Sequence, residues 1–273
     1  MIHLKTVFLR SISKNMFDRE RPSFEDSNNV TVKRCFFAYE IASEIVKDKI
    51  TADIGCADGY GTQYLAGFSK HTTGVDYSTV TVEEARAKHK DRKNLSFISS
   101  SVPPLPFDDA SLEVITAFQF IEHIHERKAF MQEVKRVLKP GGIFLCSTPN
   151  NLMSIARNPF HVHEYTFKEM EAEAKSVFGE IELMGVQGNA KVNKYYEDNS
   201  KWAKKILRLD PLGIHKLVPA SWLVWPYNFL TIMMRKDLKE VNKDTLAIET
   251  SDFFLTQESL DSTWDIFLKV TKK

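Results

Sequence analysis

Thr51-Ala-Asp-Ile-Gly-Cys-Ala-Asp-Gly-Tyr-Gly61 decides the fold. Ile50 to Ile54 reads as a short buried strand, Gly55, Gly59 and Gly61 break it, and Thr62 to Ala66 reads as the start of a helix. A strand that turns through glycines into a helix is a nucleotide-cradling device. Glycine lets backbone approach a ligand, and the helix start offers N–H groups without intrahelical partners. The spacing narrows the ligand. It is not the G-x-G-x-x-G of dinucleotide folds, and the chain has no phosphate loop ending in Gly-Lys-Ser or Gly-Lys-Thr. Asp53, at the strand end, would repel a pyrophosphate but suits a cationic ligand such as an amino acid or a sulfonium. A tight strand-to-helix turn without a ligand is the competing reading.

Outward from this loop, strands and helices alternate. Thr31 to Lys47 has helical periodicity and feeds the first strand. His71 to Asp76 reads as a second strand ending in an acid, and Val80 to Lys90 as a helix. Leu95 to Ser99 and Leu112 to Phe118 read as strands separated by a proline-rich loop. Arg127 to Leu138 is an amphipathic helix stopped by Lys139-Pro-Gly-Gly142, and Ile143 to Ser147 is a fifth strand. Helix Phe167–Phe178 follows, with Thr166 and Glu169 spaced as a capping box. Glu180 to Val186 and Trp264 to Lys272 close the set as strands. The alternation predicts a doubly wound, mostly parallel sheet, with any ligand beyond the carboxyl ends of its strands.

Composition sets bounds. The 273 residues are 43% hydrophobic and carry net charge +1, so they support a core and do not suggest nucleic acid as a whole-surface partner. The three cysteines, Cys35, Cys56 and Cys146, lack C-x-x-C spacing, which points to a reducing compartment and no zinc site. Residues 1–17 carry Lys5, Arg10 and Lys14 and no acid, a faint likeness to an organelle presequence, but read first as a plain arm. No apolar run there suits a signal peptide, and the expected location is cytoplasmic.

Jointly, several blocks resemble the class I S-adenosylmethionine-dependent methyltransferases, in the branch with the type 11 methyltransferase domain. Ala52 to Thr62 resembles the first cofactor motif, and Gly74-Val-Asp-Tyr-Ser78 the second strand with its ribose acid. Leu105 to Ile115, Gln119-Phe-Ile-Glu-His-Ile124, Val134 to Gly142 and Ser147-Thr-Pro-Asn150 follow in order, so the likeness covers roughly residues 35–187. It implies a Rossmann-like, seven-stranded sheet with an antiparallel last strand and an irregular or helical insertion before it. The expected parts are an arm over 1–34, a core of 35–188 with 263–273, and an insertion over 189–262.

The resemblance also implies cofactor roles. Gly55, Cys56, Ala57 and Gly59 pass under the methionine moiety, with Asp53 near its ammonium. Asp76 accepts from both ribose hydroxyls, Tyr77 lies against the adenine, Ser101 and Val102 flank its other side, and Gln119 borders the site. Two positions depart from the family: Ala57 replaces a glycine, which a negative φ would tolerate, and Ser101 replaces an aspartate.

The chemistry expected is in-line methyl transfer to an acceptor, with His123, His125, His161 and His163 near the crevice and His123 or His163 as general base for a hydroxyl. Helix capping or a carbonyl contact is the competing role for His123, and a capped loop the competing role for Asn158 to Tyr165. No metal is expected, because Gln119 stands where metal-binding relatives place their first acid. The remaining set is then Glu122, His123 and His163.

The insertion is the distinctive region. Lys191 to Asp244 holds 11 Lys or Arg against 6 Asp or Glu, and Leu217 to Met234 is 18 residues without charge, with Trp222, Trp225 and Tyr227. Pro219 and Pro226 argue against a membrane span, and a hydrophobic lid over the acceptor is the first reading. Contact with a membrane or lipid-linked substrate is the second, and an oligomer contact the third. The expected acceptor is a hydroxyl of a sugar, glycolipid precursor or small metabolite, not DNA. A protein or RNA methyltransferase docking through the basic insertion, and a non-catalytic S-adenosylmethionine-binding protein, remain as alternatives.

Overall fold

The computed structural model describes residues 30–154, 158–207 and 248–273. Strands β1 (Ile50–Ile54), β2 (His71–Asp76), β3 (Leu95–Ser99), β4 (Leu112–Phe118) and β5 (Leu138–Pro149) run parallel. β6 (Glu182–Gly188), β7 (Phe253–Thr256) and β8 (Asp265–Thr271) complete one sheet in the order β3-β2-β1-β4-β5-β8-β6-β7. β8 is antiparallel to both β5 and β6, as expected of a final strand. The chain order reverses between β1 and β4, which opens a crevice above their carboxyl ends.

The sheet has eight strands, not seven. The extra one, β7, pairs antiparallel with Gly185–Gly188 and lies inside the segment read as an insertion. Its sequence, Phe-Phe-Leu-Thr, is too short to announce a strand alone, and it forms because β6 offers an open edge. Phe253 is buried there against Phe37, with ring centroids 6.3 Å apart. The uncharged stretch Leu217–Met234, with Trp222, Trp225 and Tyr227, lies outside the described residues, as does the arm before Val30.

Side chains alternate across the sheet, as strand geometry requires, and divide the core in two. Ile115, Phe144, Ile266 and Leu268 face helices α4 (Arg127–Val137) and α5 (Phe167–Phe178). Val114, Leu145 and Phe267 face the other layer. That layer holds α1 (Val30–Ile45), α2 (Tyr60–Leu65) and the start of α6 (Ala190–Leu207). Helix α3 (Thr79–Lys88) covers β2 and β3, with Ser78 as its N-cap. Thr166 and Glu169 form the expected capping box at the start of α5.

Candidate functional site

The loop after β1 is shaped by residues with positive φ. Gly55 (+77°), Ala57 (+48°) and Gly59 (+81°) alternate with ordinary residues. A Cβ on Gly55 would lie 2.5 Å from the Phe120 ring, and one on Gly59 2.6 Å from Phe97, so glycine is required for space as well as for φ. Ala57 departs from the expected negative φ. Left-handed backbone costs an alanine about 1–2 kcal/mol. The conformation turns the Ala57 N–H onto Asp76 Oδ2 at 3.1 Å. Gly55 and Cys56 both donate to the Val75 carbonyl, at 2.8 and 3.1 Å, and so tie the loop to the end of β2.

Asp76 therefore sits where the loop meets β2. Ser78 N–H donates to its Oδ1 at 2.9 Å while Ala57 holds Oδ2, and the residue is 7% exposed. Two backbone donors fix the carboxylate's plane. Each carboxylate oxygen has two lone-pair directions, so this arrangement suits a neighbouring pair of hydroxyls. Tyr77 beside it is 72% exposed and presents an aromatic face. Ser101 is exposed and Val102 is half-buried against the core. A carboxylate, an open aromatic ring and a glycine loop are a donor set that fits an adenosine.

Asp53 does not stand beside this space. It has no exposed surface, and it accepts from Thr62 Oγ1 and Thr116 Oγ1, each at 2.7 Å, and from Tyr39 OH at 3.3 Å. Burial pushes its carboxyl up to about 6, against the downward pull of the three hydroxyls. The expectation that it meets a ligand ammonium gives way to a role under the loop, joining α1, α2 and β4. The sequence reading missed Tyr39, Thr62 and Thr116 as its partners. Cys56 likewise turns inward, its thiol raised well above its ordinary value by burial.

A second group gathers at the carboxyl ends of β4 and β5. Gln119 has a φ of +52°, and its N–H donates to the Ser147 carbonyl at 2.8 Å. Glu122 is 1% exposed, accepts from Thr148 Oγ1 at 3.0 Å and is raised by burial to about 7. Its backbone carbonyl accepts from the N–H groups of Val162 and His163, which anchors the loop before α5.

His123 Nδ1 lies 3.2 Å from the Phe160 carbonyl. A carbonyl only accepts, so Nδ1 carries a proton, and in the neutral ring the lone pair is on Nε2. His161 packs edge-on against His123, centroids 4.9 Å apart. Glu122, His123 and His161 offer ligand atoms all within 4.8 Å of one another, a spacing that could hold a divalent ion. The histidine of this trio is His161, not the expected His163. His163 instead has its ring against Tyr165 and its Nε2 3.9 Å from Glu169.

His161 is already engaged at both nitrogens. Asn158 Oδ1 accepts from Phe160 N–H, which orients the amide so that its nitrogen donates to His161 Nε2 at 2.9 Å. Nδ1 faces Glu164 at 2.6 Å, and this contact holds Glu164 below the usual carboxylate range, against burial. A metal would have to displace Asn158.

The described residues also place Arg34 of α1 against Asp265 at the start of β8, Nε to Oδ2 3.1 Å. Tyr196 of α6 lies under the guanidinium, 5.5 Å from ring centroid to Cζ, and Trp264 stacks on Tyr196 at 4.0 Å. Sequence reasoning missed this group, because its members are brought together only by the sheet order. A cavity of about 420 Å³ lined by Ile50, Thr73, Phe107 and Leu112 opens at the opposite end of the strands, away from all these groups.

Known proteins resemble this chain in sequence and in fold. Residues 52–146 match the sequence model of a methyltransferase domain. A protein of Mycolicibacterium smegmatis named a probable S-adenosylmethionine-dependent methyltransferase is 36% identical over 135 residues, 48% of this chain and 51% of that one. A demethylmenaquinone methyltransferase of Lactococcus lactis is 31% identical over 117 residues, 41% of this chain and 46% of that one. The chain thus spans about half the length of the curated relatives it matches. The crystal structure of an S-adenosylmethionine dependent methyltransferase from Mesorhizobium loti shares the fold at a TM-score of 0.52 and 13% identity, over 86% of this chain and 98% of that one.

Proposed function

We propose that this chain, whose residues 52–146 form a class I S-adenosylmethionine-dependent methyltransferase domain of the type 11 branch, transfers a methyl group to a hydroxyl of a small molecule or glycan. The observation that carries this reading is Asp76, oriented by Ala57 and Ser78 at the junction of the glycine loop and β2. It is the residue for the ribose hydroxyls. Tyr77 is the one for the adenine, and the backbone of Gly55 to Gly59 lines the methionine part. S-adenosylmethionine, when bound, supplies a methyl group on a sulfonium that a hydroxyl oxygen can displace.

The chain's own work is orientation and proton transfer. The glycine loop between β1 and α2 is fixed from below by Asp53 and its three hydroxyl donors, so little reorganisation is needed on binding. His123, with its lone pair on Nε2, is the base that removes the acceptor's proton. His161 packs edge-on against it, positioned by Asn158 and Glu164. The saturation of His161 favours this metal-free base over a metal centre built on the same trio. The basic and aromatic composition of residues 208–247 suits an acceptor that carries a lipid.

The test uses methyl-labelled S-adenosylmethionine with a panel of hydroxylated acceptors. We expect labelled product, and His123→Gln should lower kcat about 100-fold or more, with cofactor affinity retained. Cofactor binding without turnover on any acceptor would instead favour a non-catalytic binding protein. No cofactor binding by folded protein would end the methyltransferase reading.

A further inference from the structure

The Arg34–Asp265 group is left without a task by the reading above. Asp265 pairs with Pro149 of β5 and Val186 of β6, so it stands at the carboxyl end of β5, on the crevice side of the sheet. The Gln119 side chain faces it, which brings the group to the end of β4 as well. Its side chain is 2% exposed and that of Arg34 12%.

Hydrogen bonding here is incomplete. Asp265 Oδ1, Tyr196 OH and Glu122 Oε1 are buried and have no partner, and Arg34 Nε, though close to Asp265 Oδ2, makes no aligned hydrogen bond. Asp265 does accept from the Gln119 side chain. Buried polar atoms are nearly always paired, so four orphans near the ends of β4 and β5 call for a ligand. They include an acceptor, Asp265 Oδ1, and a donor, Arg34 Nε, and a hydroxyl group can serve both. Arg34 and Asp265 offset each other in charge, which suits a neutral ligand with more than one O–H group. The half-buried Trp264, stacked on Tyr196, adds a flat apolar plate. Such a plate suits the C–H face of a saturated ring.

We propose that Asp265, Tyr196 and Trp264 form the acceptor subsite, and that it takes a neutral polyhydroxylated ring, a sugar. This rests on the methyltransferase reading, in which the sugar hydroxyl is presented to His123. Asp265 fixes the ring through one hydroxyl, and Arg34 holds that side chain in place.

Saturation-transfer NMR with methyl glucoside, mannoside, galactoside and rhamnoside, with and without S-adenosylhomocysteine, tests it. Cyclohexylmethanol and glucose 6-phosphate serve as probes lacking the neighbouring hydroxyls or the neutrality. At least one glycoside should bind better than either. Asp265→Asn and Trp264→Leu should each weaken it about tenfold or more, while the unfolding transition stays cooperative. Trp264→Leu alone decides the matter if Asp265→Asn does not fold. Equal binding by the variants, or a preference for the phosphate or the hydroxyl-poor ring, overturns the subsite, as does no glycoside binding. Failure of the wild type to bind S-adenosylhomocysteine falls on the methyltransferase reading instead, and glycoside dependence on Asp265 or Trp264 still decides the subsite.

Discussion

Replacing Glu122 by Gln should change how stability responds to pH. Glu122 is 1% exposed, and burial lifts its carboxyl from an ordinary 4.5 to about 7. A carboxyl raised in the folded state holds its proton more tightly there than in the unfolded chain. Below 4.5 both states are protonated and no pH-linked penalty exists. Between 4.5 and about 7 the unfolded chain gains from ionisation that the folded protein resists, so stability falls as pH rises. Above about 7 the loss is constant.

At 1.36 kcal/mol per pH unit the full loss is about 3 kcal/mol. Most of it, about 2 kcal/mol or somewhat more, falls between pH 5 and pH 8. Glutamine keeps the shape and does not titrate. Urea unfolding of both proteins at pH 5 and pH 8 reads the difference, because groups that do not interact with Glu122 titrate alike in the two. The wild type should lose about 2–3 kcal/mol more than Glu122→Gln over that interval. Parallel pH responses, within about 0.5 kcal/mol, would show that the carboxyl is solvated and that its burial has been misread.

Other expectations concern the cofactor loop. Ala57→Gly removes left-handed strain and should stabilise the protein by about 1 kcal/mol in chemical unfolding, with cofactor affinity kept; a loss of stability would contradict the strain. Gly61→Ala puts a Cβ 2.1 Å from the Tyr39 ring and should cost about 1–3 kcal/mol. Tyr39→Leu in the same chain should recover part of that cost, and strict additivity of the two changes would show that they do not meet.

Much of this architecture was legible before any coordinates. β1, β2 and β4 are buried runs rich in β-branched residues, β1 stops before Gly55 and β3 starts after Asn94, and the structure keeps the read limits of all four residue for residue. The capping box was legible because Thr166 and Glu169 interact within one turn. What failed was non-local. β7 exists only because β6 has an edge to offer, and Phe253–Thr256 is too short to signal itself. The sign of φ at Ala57 depends on Asp76 across the loop, not on the alanine. His161 and His163 are indistinguishable by spacing, and the anchoring of Val162 and His163 to the Glu122 carbonyl decides which one meets His123. Asp53 read as a ligand contact because its partners Thr62 and Thr116 come from two other elements.

The central claim is that the tips of β1 and β2 hold an adenosine through Asp76. Titration calorimetry of S-adenosylhomocysteine into the wild type and Asp76→Ala tests it most directly. Two hydrogen bonds to a carboxylate are at stake, so the variant should lose affinity about 100-fold or more while its unfolding transition is preserved. Unchanged affinity in a folded Asp76→Ala protein would contradict the account.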